Sequence, residues 1–237
     1  MSSSVQKSPL NSTNAGELTT SGAVVLADKR AGMTSHDVVA RLRRVYGVKA
    51  GHAGTLDPFA TGLLIVLLGR PATREQRRFM EQRKTYRVNV RFGAVSTTGD
   101  RDGEITETGV FPEAPLHLPQ GVLRQRPPAY SAIKVGGERA YKRARRGEQF
   151  EMPERIVTVH RFEQCAREGD RGEFEIECSS GTYVRSLVAD LGDAYCTELR
   201  RTRIGAFDVE ECDESHPIPL AEALVRLEAG PGPRGAR

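Results

Sequence analysis

The chain turns on Gly51-His52-Ala53-Gly54-Thr55-Leu56-Asp57-Pro58-Phe59-Ala60-Thr61-Gly62, followed at once by Leu63-Leu64-Ile65-Val66-Leu67-Leu68. Glycines, a proline and two threonines keep the first part from forming a regular element. The apolar run after it reads as a strand buried on both faces and ended by Gly69. On the other side, Val38, Val39, Leu42 and Val45 recur at helical spacing, with Arg41, Arg43 and Arg44 off that stripe. Thr34-x-x-Asp37 resembles a capping box and Gly47 a helix stop. A helix and a strand thus frame a loop that carries one imidazole, His52, and one carboxylate, Asp57. Asp57-Pro58 has the composition of a turn opener, which by itself accounts for both residues. A loop held between rigid elements is also where reactive groups tend to be presented.

Composition sets the wider frame. With 237 residues, 38% apolar and 28% charged, the chain is long enough to bury a substantial core and too polar to be fibrous or membrane-embedded. No apolar run is long enough to span a bilayer, and Met1-Ser2-Ser3-Ser4-Val5-Gln6-Lys7 has no secretory apolar core, so a cytoplasmic protein is expected. Cys165, Cys178, Cys196 and Cys212 are widely spaced and read as free thiols. The scattered His36, His52, His117, His160 and His216 make no zinc-like cluster. The net charge of +4 matters less than its distribution. Lys134, Arg139, Lys142, Arg143, Arg145 and Arg146 face one acid, Glu138. Such a run is a solvated helix face or a phosphate-binding patch.

Along the chain, residues 1–21 are rich in Ser, Thr and Asn and are expected to form a disordered tail. Ala23–Ala27 reads as a short strand and 72–82 as a polar helix. Lys84–Phe92 alternates, with Tyr86, Val88, Val90 and Phe92 on one face. Residues 109–128 are proline-rich and irregular, and 138–147 read as a basic helix. Strands return at 157–162 and 173–178, then a helix over 182–191. Leu199-Arg200-Arg201-Thr202-Arg203 is a second basic cluster, and a helix near 221–227 precedes a Gly/Pro tail. Strands and helices mix without a βαβ rhythm, so the class is α+β with a mixed, mostly antiparallel central sheet flanked by helices.

The stretch Gly51–Leu64 resembles the catalytic motif of the TruB family of tRNA pseudouridine-55 synthases. Four more segments match in the family's order: Lys84-x-Tyr86; Thr98-Gly99-Asp100-x-Asp102-Gly103; Pro127–Val135 running into Arg139-Ala140-Tyr141; and Ser180-Gly181-Thr182-Tyr183-Val184-Arg185 with Asp190-Leu191-Gly192. The resemblance implies a pseudouridine synthase domain over 22–216, with a thumb-like insertion at about 127–155. The implied activity is isomerisation of a T-loop uridine of tRNA after the nucleotide is flipped into a pocket. Asp57 matches the family's essential aspartate, which as a carboxylate attacks base or sugar or stabilises the separated fragments. Arg185 matches the arginine paired with it, a pairing expected to keep Asp57 ionised, and Asp100 a second acid of that network. Tyr86 matches the residue stacked on the flipped base, Tyr183 and Leu199 line the uridine pocket, and His52 props open the T-loop. Lys134, Arg139, Lys142, Arg143 and Arg146 become phosphate contacts of the thumb.

The resemblance implies no cofactor and no metal, because the reaction is a redox-neutral isomerisation, and it implies a monomer acting on the T-arm of tRNA. The chain also departs from the family pattern. The link Asp193–Glu198 is short, and the stretch after Gly205 leaves no room for the family's usual C-terminal PUA-type domain. Two other functions share these motifs: the catalytic subunit of a guide-RNA-dependent pseudouridylase, and a non-catalytic tRNA-binding or folding factor on the same scaffold.

Overall fold

A computed structural model describes residues 12–230. In chain order the elements are α1 (Ser12–Thr20), β1 (Ala23–Lys29), α2 (Ser35–Tyr46), β2 (Ala50–His52), β3 (Thr61–Leu68), α3 (Gly69–Arg74), α4 (Gln76–Met80), β4 (Lys84–Phe92), β5 (Ala94–Ser96) and β6 (Ile105–Glu107). They continue with β7 (Gly121–Gln125), β8 (Lys134–Val135), β9 (Glu138–Arg139), α5 (Ala140–Arg145), β10 (Arg155–Glu168) and β11 (Arg171–Cys178). The last are α6 (Val184–Ala189), β12 (Ala194–Ile204), β13 (Phe207–Asp208), β14 (Asp213–Pro219) and α7 (Leu220–Ala229).

One large sheet runs β14-β1-β3-β12-β4-β11-β10-β7, with β2 added to β3 and β13 to β12. The β3–β12 pair is parallel, through Arg200 opposite Thr61 and Arg201 opposite Gly62, and every other pair is antiparallel. The architecture is the α+β, mixed and mostly antiparallel sheet expected. In β1 and β3, Val24, Leu26, Leu63, Ile65 and Leu67 pack with Phe79, Phe207 and α7. The alternate residues Val25, Ala27, Leu64, Val66 and Leu68 pack under α2. That double burial is why the run 63–68 is apolar throughout. On β4 the face of Tyr86, Val88, Val90 and Phe92 joins Phe162, Phe174, Ile176 and α6 in a second part of the core, which also takes in Leu56, Phe59 and Leu199.

The helix before the catalytic loop is built as its sequence indicates. Thr34 caps α2 reciprocally with Asp37, and Gly47 closes it in the left-handed conformation at φ 67°. Its buried stripe is Val38, Val39, Leu42 and Tyr46, while Val45 is exposed. The Tyr46 hydroxyl donates to the Glu214 carbonyl, so the larger residue takes the inward position.

Several expectations are corrected. Residues 12–20 of the supposed disordered tail form α1, with Leu18 buried against the α2 side of the core; residues 1–11 lie outside the described residues. The polar helix at 72–82 is two short helices, α3 and α4, separated at Glu75. The basic helix at 138–147 begins instead as a small β8–β9 hairpin and becomes helical only over Ala140–Arg145. The hairpin forms where Gly136 and Gly137, at φ 61° and 86°, supply the left-handed residues its two-residue turn needs. The irregular stretch 109–128 contains β7, the strand at one end of the sheet. The helix expected near 221–227 is α7, and it shares the β1–β3 core; residues 231–237 lie outside the described residues.

Candidate active site

The Gly51–Gly62 loop leaves β2, turns at Asp57 and enters β3. The Ala60 N–H donates to the Asp57 carbonyl at 3.1 Å, so Asp57-Pro58-Phe59-Ala60 is a β-turn with proline at its second position. The turn opener and the presented carboxylate are therefore the same feature. The loop is held from several directions. Gly32 N–H donates to the Pro58 carbonyl at 2.9 Å, and the buried Ser35 hydroxyl accepts from Leu56 N–H at 2.9 Å. The Lys29 ammonium donates to the carbonyls of Pro58 at 3.2 Å and Met33 at 2.7 Å. From β12, the Arg201 guanidinium donates to the carbonyls of Gly54 at 3.1 Å, Thr55 at 3.4 Å and Leu63 at 2.8 Å.

Arg185, on the first turn of α6, faces the carboxylate. Its Nε lies 2.9 Å from Asp57 Oδ2 and its Nη1 3.2 Å from Asp100 Oδ2. The first is a close ion pair whose N–H is off the hydrogen-bond line. Nη1 also donates to the Thr98 carbonyl at 2.6 Å and Nη2 to the Tyr130 carbonyl at 3.0 Å. The guanidinium, 3% exposed, is thus fixed by four groups from three segments. Asp100 is fixed in turn, its Oδ1 accepting from the Thr98 hydroxyl at 2.6 Å and from Asp102 N–H at 3.0 Å.

The electrostatics at Asp57 pull in opposite directions. Arg185 does pull the Asp57 pKa down, but burial pushes it up more strongly, and the Asp100 charge adds to the rise. Asp57 therefore sits above the ordinary carboxylate range, although 29% of its side chain remains open. Desolvation wins because the carboxylate sits among apolar groups such as Leu56 and Phe59. Burial lowers Lys29 to about 8, against the opposing pull of the Asp57 charge.

Around this pair the structure gathers most of the residues singled out by sequence. Tyr86, buried on β4, and Leu199, buried on β12, share one apolar cluster with Leu56 and Phe59. The Tyr86 phenol is held above its usual pKa by burial, with the Arg201 charge opposing the rise. Tyr183 precedes α6; its N–H donates to Gln125 Oε1 at 2.7 Å and its carbonyl accepts from Gln125 Nε2 at 3.0 Å. The Arg155 guanidinium lies 5.5 Å over its ring. His52 ends β2, its carbonyl accepting from Gln76 at 2.7 Å; burial, then Arg201, lowers its pKa, and its buried Nδ1 has no hydrogen-bond partner.

The thumb residues are placed differently. Arg146 is bridged to Glu138 and Glu148, and Arg143 to Glu148 while its guanidinium covers Phe150. Arg139 donates to the Ala132 carbonyl. Lys134 borders an open groove with Arg126, Glu151 and Glu154, and Lys142 carries no ion pair among the described residues. Glu148, two residues past the basic run, is the partner that a charge count over 134–146 leaves out.

Sequence reasoning missed Lys29, Ser35, Gln125 and Arg201. Arg201 was legible in principle. In Leu199-Arg200-Arg201 on a strand, Arg201 shares the inward side with Leu199, and Arg200 points out to pair with Asp28 at 2.7 Å.

A family profile described as TruB family pseudouridylate synthase (N terminal domain) matches residues 43–184. The chain belongs to the TruB family. Among its TruB relatives, tRNA pseudouridine synthase B of Thermobifida fusca is 44% identical over 241 residues, covering 87% of this chain and 82% of that one. The Nocardia farcinica protein of the same name is 46% identical over 206 residues, covering 80% and 67%. Among solved structures, the crystal structure of a Cbf5-Nop10-Gar1 complex aligns with a TM-score of 0.60 at 30% identity. That match covers 81% of this chain, which spans 51% of the solved one. These comparisons join the TruB membership to a pseudouridine synthase fold.

Proposed function

We propose that this chain converts a T-loop uridine of tRNA, at position 55, to pseudouridine, with Asp57 as its catalytic carboxylate. The observation that carries the reading is the buried Asp57–Arg185–Asp100 array opening beside Tyr86 and Leu199. A uridine in a folded loop has to leave its stack to reach a carboxylate held this deeply. Tyr86 and Leu199 offer the flipped base an aromatic face and an aliphatic wall. Arg185 steers the Asp57 rotamer toward it, and Asp100 and two backbone carbonyls keep Arg185 from following the carboxylate. Because these partners are in place before substrate arrives, little reorganisation is needed as charge develops at the glycosidic bond. His52, at the start of the loop, is the residue assigned to the space the base leaves, and the thumb cations to the stem phosphates. No helix among the described residues is long and apolar enough to cross a membrane, in keeping with an enzyme that meets tRNA in solution, acting as a monomer in the cytoplasm.

The names of the curated relatives favour free tRNA as substrate over a guide-RNA assembly. The test is mass-shift mapping of pseudouridine in a T-stem-loop transcript incubated with the purified protein alone. One modified uridine in the T-loop is expected. An unmodified transcript that is nevertheless bound and refolded would replace the enzyme with an RNA-folding factor.

A further inference from the structure

Arg201 is the largest fully buried side chain among the described residues, at 1% exposure. Its counterpart Arg185 meets two carboxylates. Arg201 meets none within ion-pairing distance among the described residues, and its guanidinium is satisfied by backbone carbonyls instead. A buried cation without a counter-ion is an expensive way to fill space, and an apolar side chain of similar volume packs such a place more cheaply. The carbonyls it holds are not arbitrary. Gly54 and Thr55 stand three and two residues before Asp57, and Leu63 stands just after Gly62. Arg201 also stands directly opposite Tyr86 in the antiparallel β4–β12 pair. One residue therefore holds both arms of the Asp57 loop and pairs with the aromatic residue of the next strand.

The backbone beneath it is equally committed. Gly62 lies opposite Arg201 in the parallel pair, at φ 103°, and a Cβ there would come within 2.2 Å of the Arg201 carbonyl. Close backbone approach and a buried guanidinium reinforce the same junction between β3 and β12.

We propose that Arg201 is a positioning residue for uridine isomerisation, fixing the Asp57 loop to β12 and so setting the carboxylate relative to Tyr86 on the neighbouring strand. The proposal rests on the reading of this chain as a uridine isomerase. It assigns Arg201 no contact with substrate: it acts through Asp57 and Tyr86.

The test uses the full chain with Arg201→Met, similar in reach but uncharged, and Arg201→Lys, which keeps the charge but cannot span three carbonyls. Single-turnover pseudouridine formation and RNA affinity are measured on one T-stem-loop, with melting followed in parallel. Both variants are expected to bind RNA within about threefold of wild type, since the groups removed face the loop backbone rather than the RNA. The rate is expected to fall by about 100-fold in Arg201→Met and about 10-fold in Arg201→Lys, at a temperature where both are folded. A double-mutant cycle separates positioning from general stability. In a Tyr86→Phe background the Arg201→Lys loss should shrink at least about threefold, whereas a strut unrelated to Tyr86 gives additive effects. Additive effects, a folded variant with a wild-type rate, or failure of both variants to fold overturns the proposal. An inactive wild type instead overturns the isomerase reading on which it rests.

Discussion

The pocket and the thumb are both rich in arginine, yet they use it in opposite ways. In the pocket, Arg185 and Arg201 are nearly inaccessible and each is held by several fixed partners, mostly backbone carbonyls. In the thumb, Arg139, Arg143 and Arg146 lie at or near the surface, and the latter two lean on Glu138 and Glu148, flexible acids of the same insertion. Between 127 and 155 the chain buries only Pro127, Ser131, Ala140 and Met152. A group that shapes a reaction has to be in place beforehand, whereas a group that grips a polyanion has to trade its partners. An exposed ion pair is worth at most about 1 kcal/mol, so incoming phosphates can displace Glu138 and Glu148 at small cost.

The contrast is broken most severely at the carboxylate. Asp57→Asn should reduce pseudouridine formation more than about 1000-fold while leaving RNA affinity nearly unchanged, as rate and filter-binding measurements together would show. Stability should not fall with it. The raised Asp57 pKa means that any favourable contribution is present only in acid and is lost as pH rises through the folded-state value, so at neutral pH the ionised carboxylate is a burden on the fold. Calorimetry near pH 7 should place the Asn variant at or above the wild-type melting temperature. Retained turnover, or a clear loss of stability, would contradict the assignment. The same shift sets the acid side of the activity profile: kcat/KM should fall as pH drops through a value above the usual aspartate 3.8. An acid limb at or below 3.8 would mean that burial does not govern this group.

Gly62→Ala comes next. It places a Cβ against the Arg201 backbone at a positive φ, and a loss of more than about 3 kcal/mol in chemical denaturation is expected. A comparable substitution at Gly137 in the thumb, with open space around it, should cost only the φ strain, about 1 kcal/mol. Equal effects at the two glycines would erase the distinction between the regions. Tyr86→Ala should weaken the hold on a flipped base by about 1–3 kcal/mol, read as the affinity difference between a stem-loop with the target uridine and one with an abasic site there. The smallest effect belongs to the thumb. Lys134→Ala with Lys142→Ala should leave the saturated rate unchanged and lower the salt slope of binding by about 1 for each phosphate no longer neutralised. A drop in the saturated rate would show that the thumb shapes the reaction as well as the grip.

How much of the molecule is legible in its sequence follows the same divide. The capped helix α2, the doubly buried β3 and the alternating β4 announce themselves because each obeys one local period that tertiary packing then reinforces. Asp57, Asp100 and Arg185 are 43 and 85 positions apart along the chain, and only their resemblance to ordered family motifs brings them together. Residues that act through backbone carbonyls leave no such trace. Lys29 looks like part of a turn and Arg201 like part of a basic cluster, because a hydrogen bond to a carbonyl depends on where the main chain passes and not on the partner's side chain. The thumb misleads for a related reason: Gly136-Gly137 makes a hairpin turn, and a charge pattern alone does not distinguish that hairpin from a helical face. The direction of the Asp57 shift is likewise hidden, since opposite charges can be paired on paper while the depth of burial cannot.

The single parallel pairing also bears on how the molecule comes into being. β12 lies between β3 and β4, strands made more than a hundred residues earlier. Until it arrives, one edge of β4 has no neighbour, the start of β3 at Thr61 and Gly62 is unpaired on that side, and the loop bearing Asp57 lacks its clamp. A chain emerging from the ribosome passes a long stretch of its synthesis in that state, and long-range pairing of this kind is slow and prone to aggregation. Competence for catalysis should appear abruptly, when β12 is released, rather than grow with chain length.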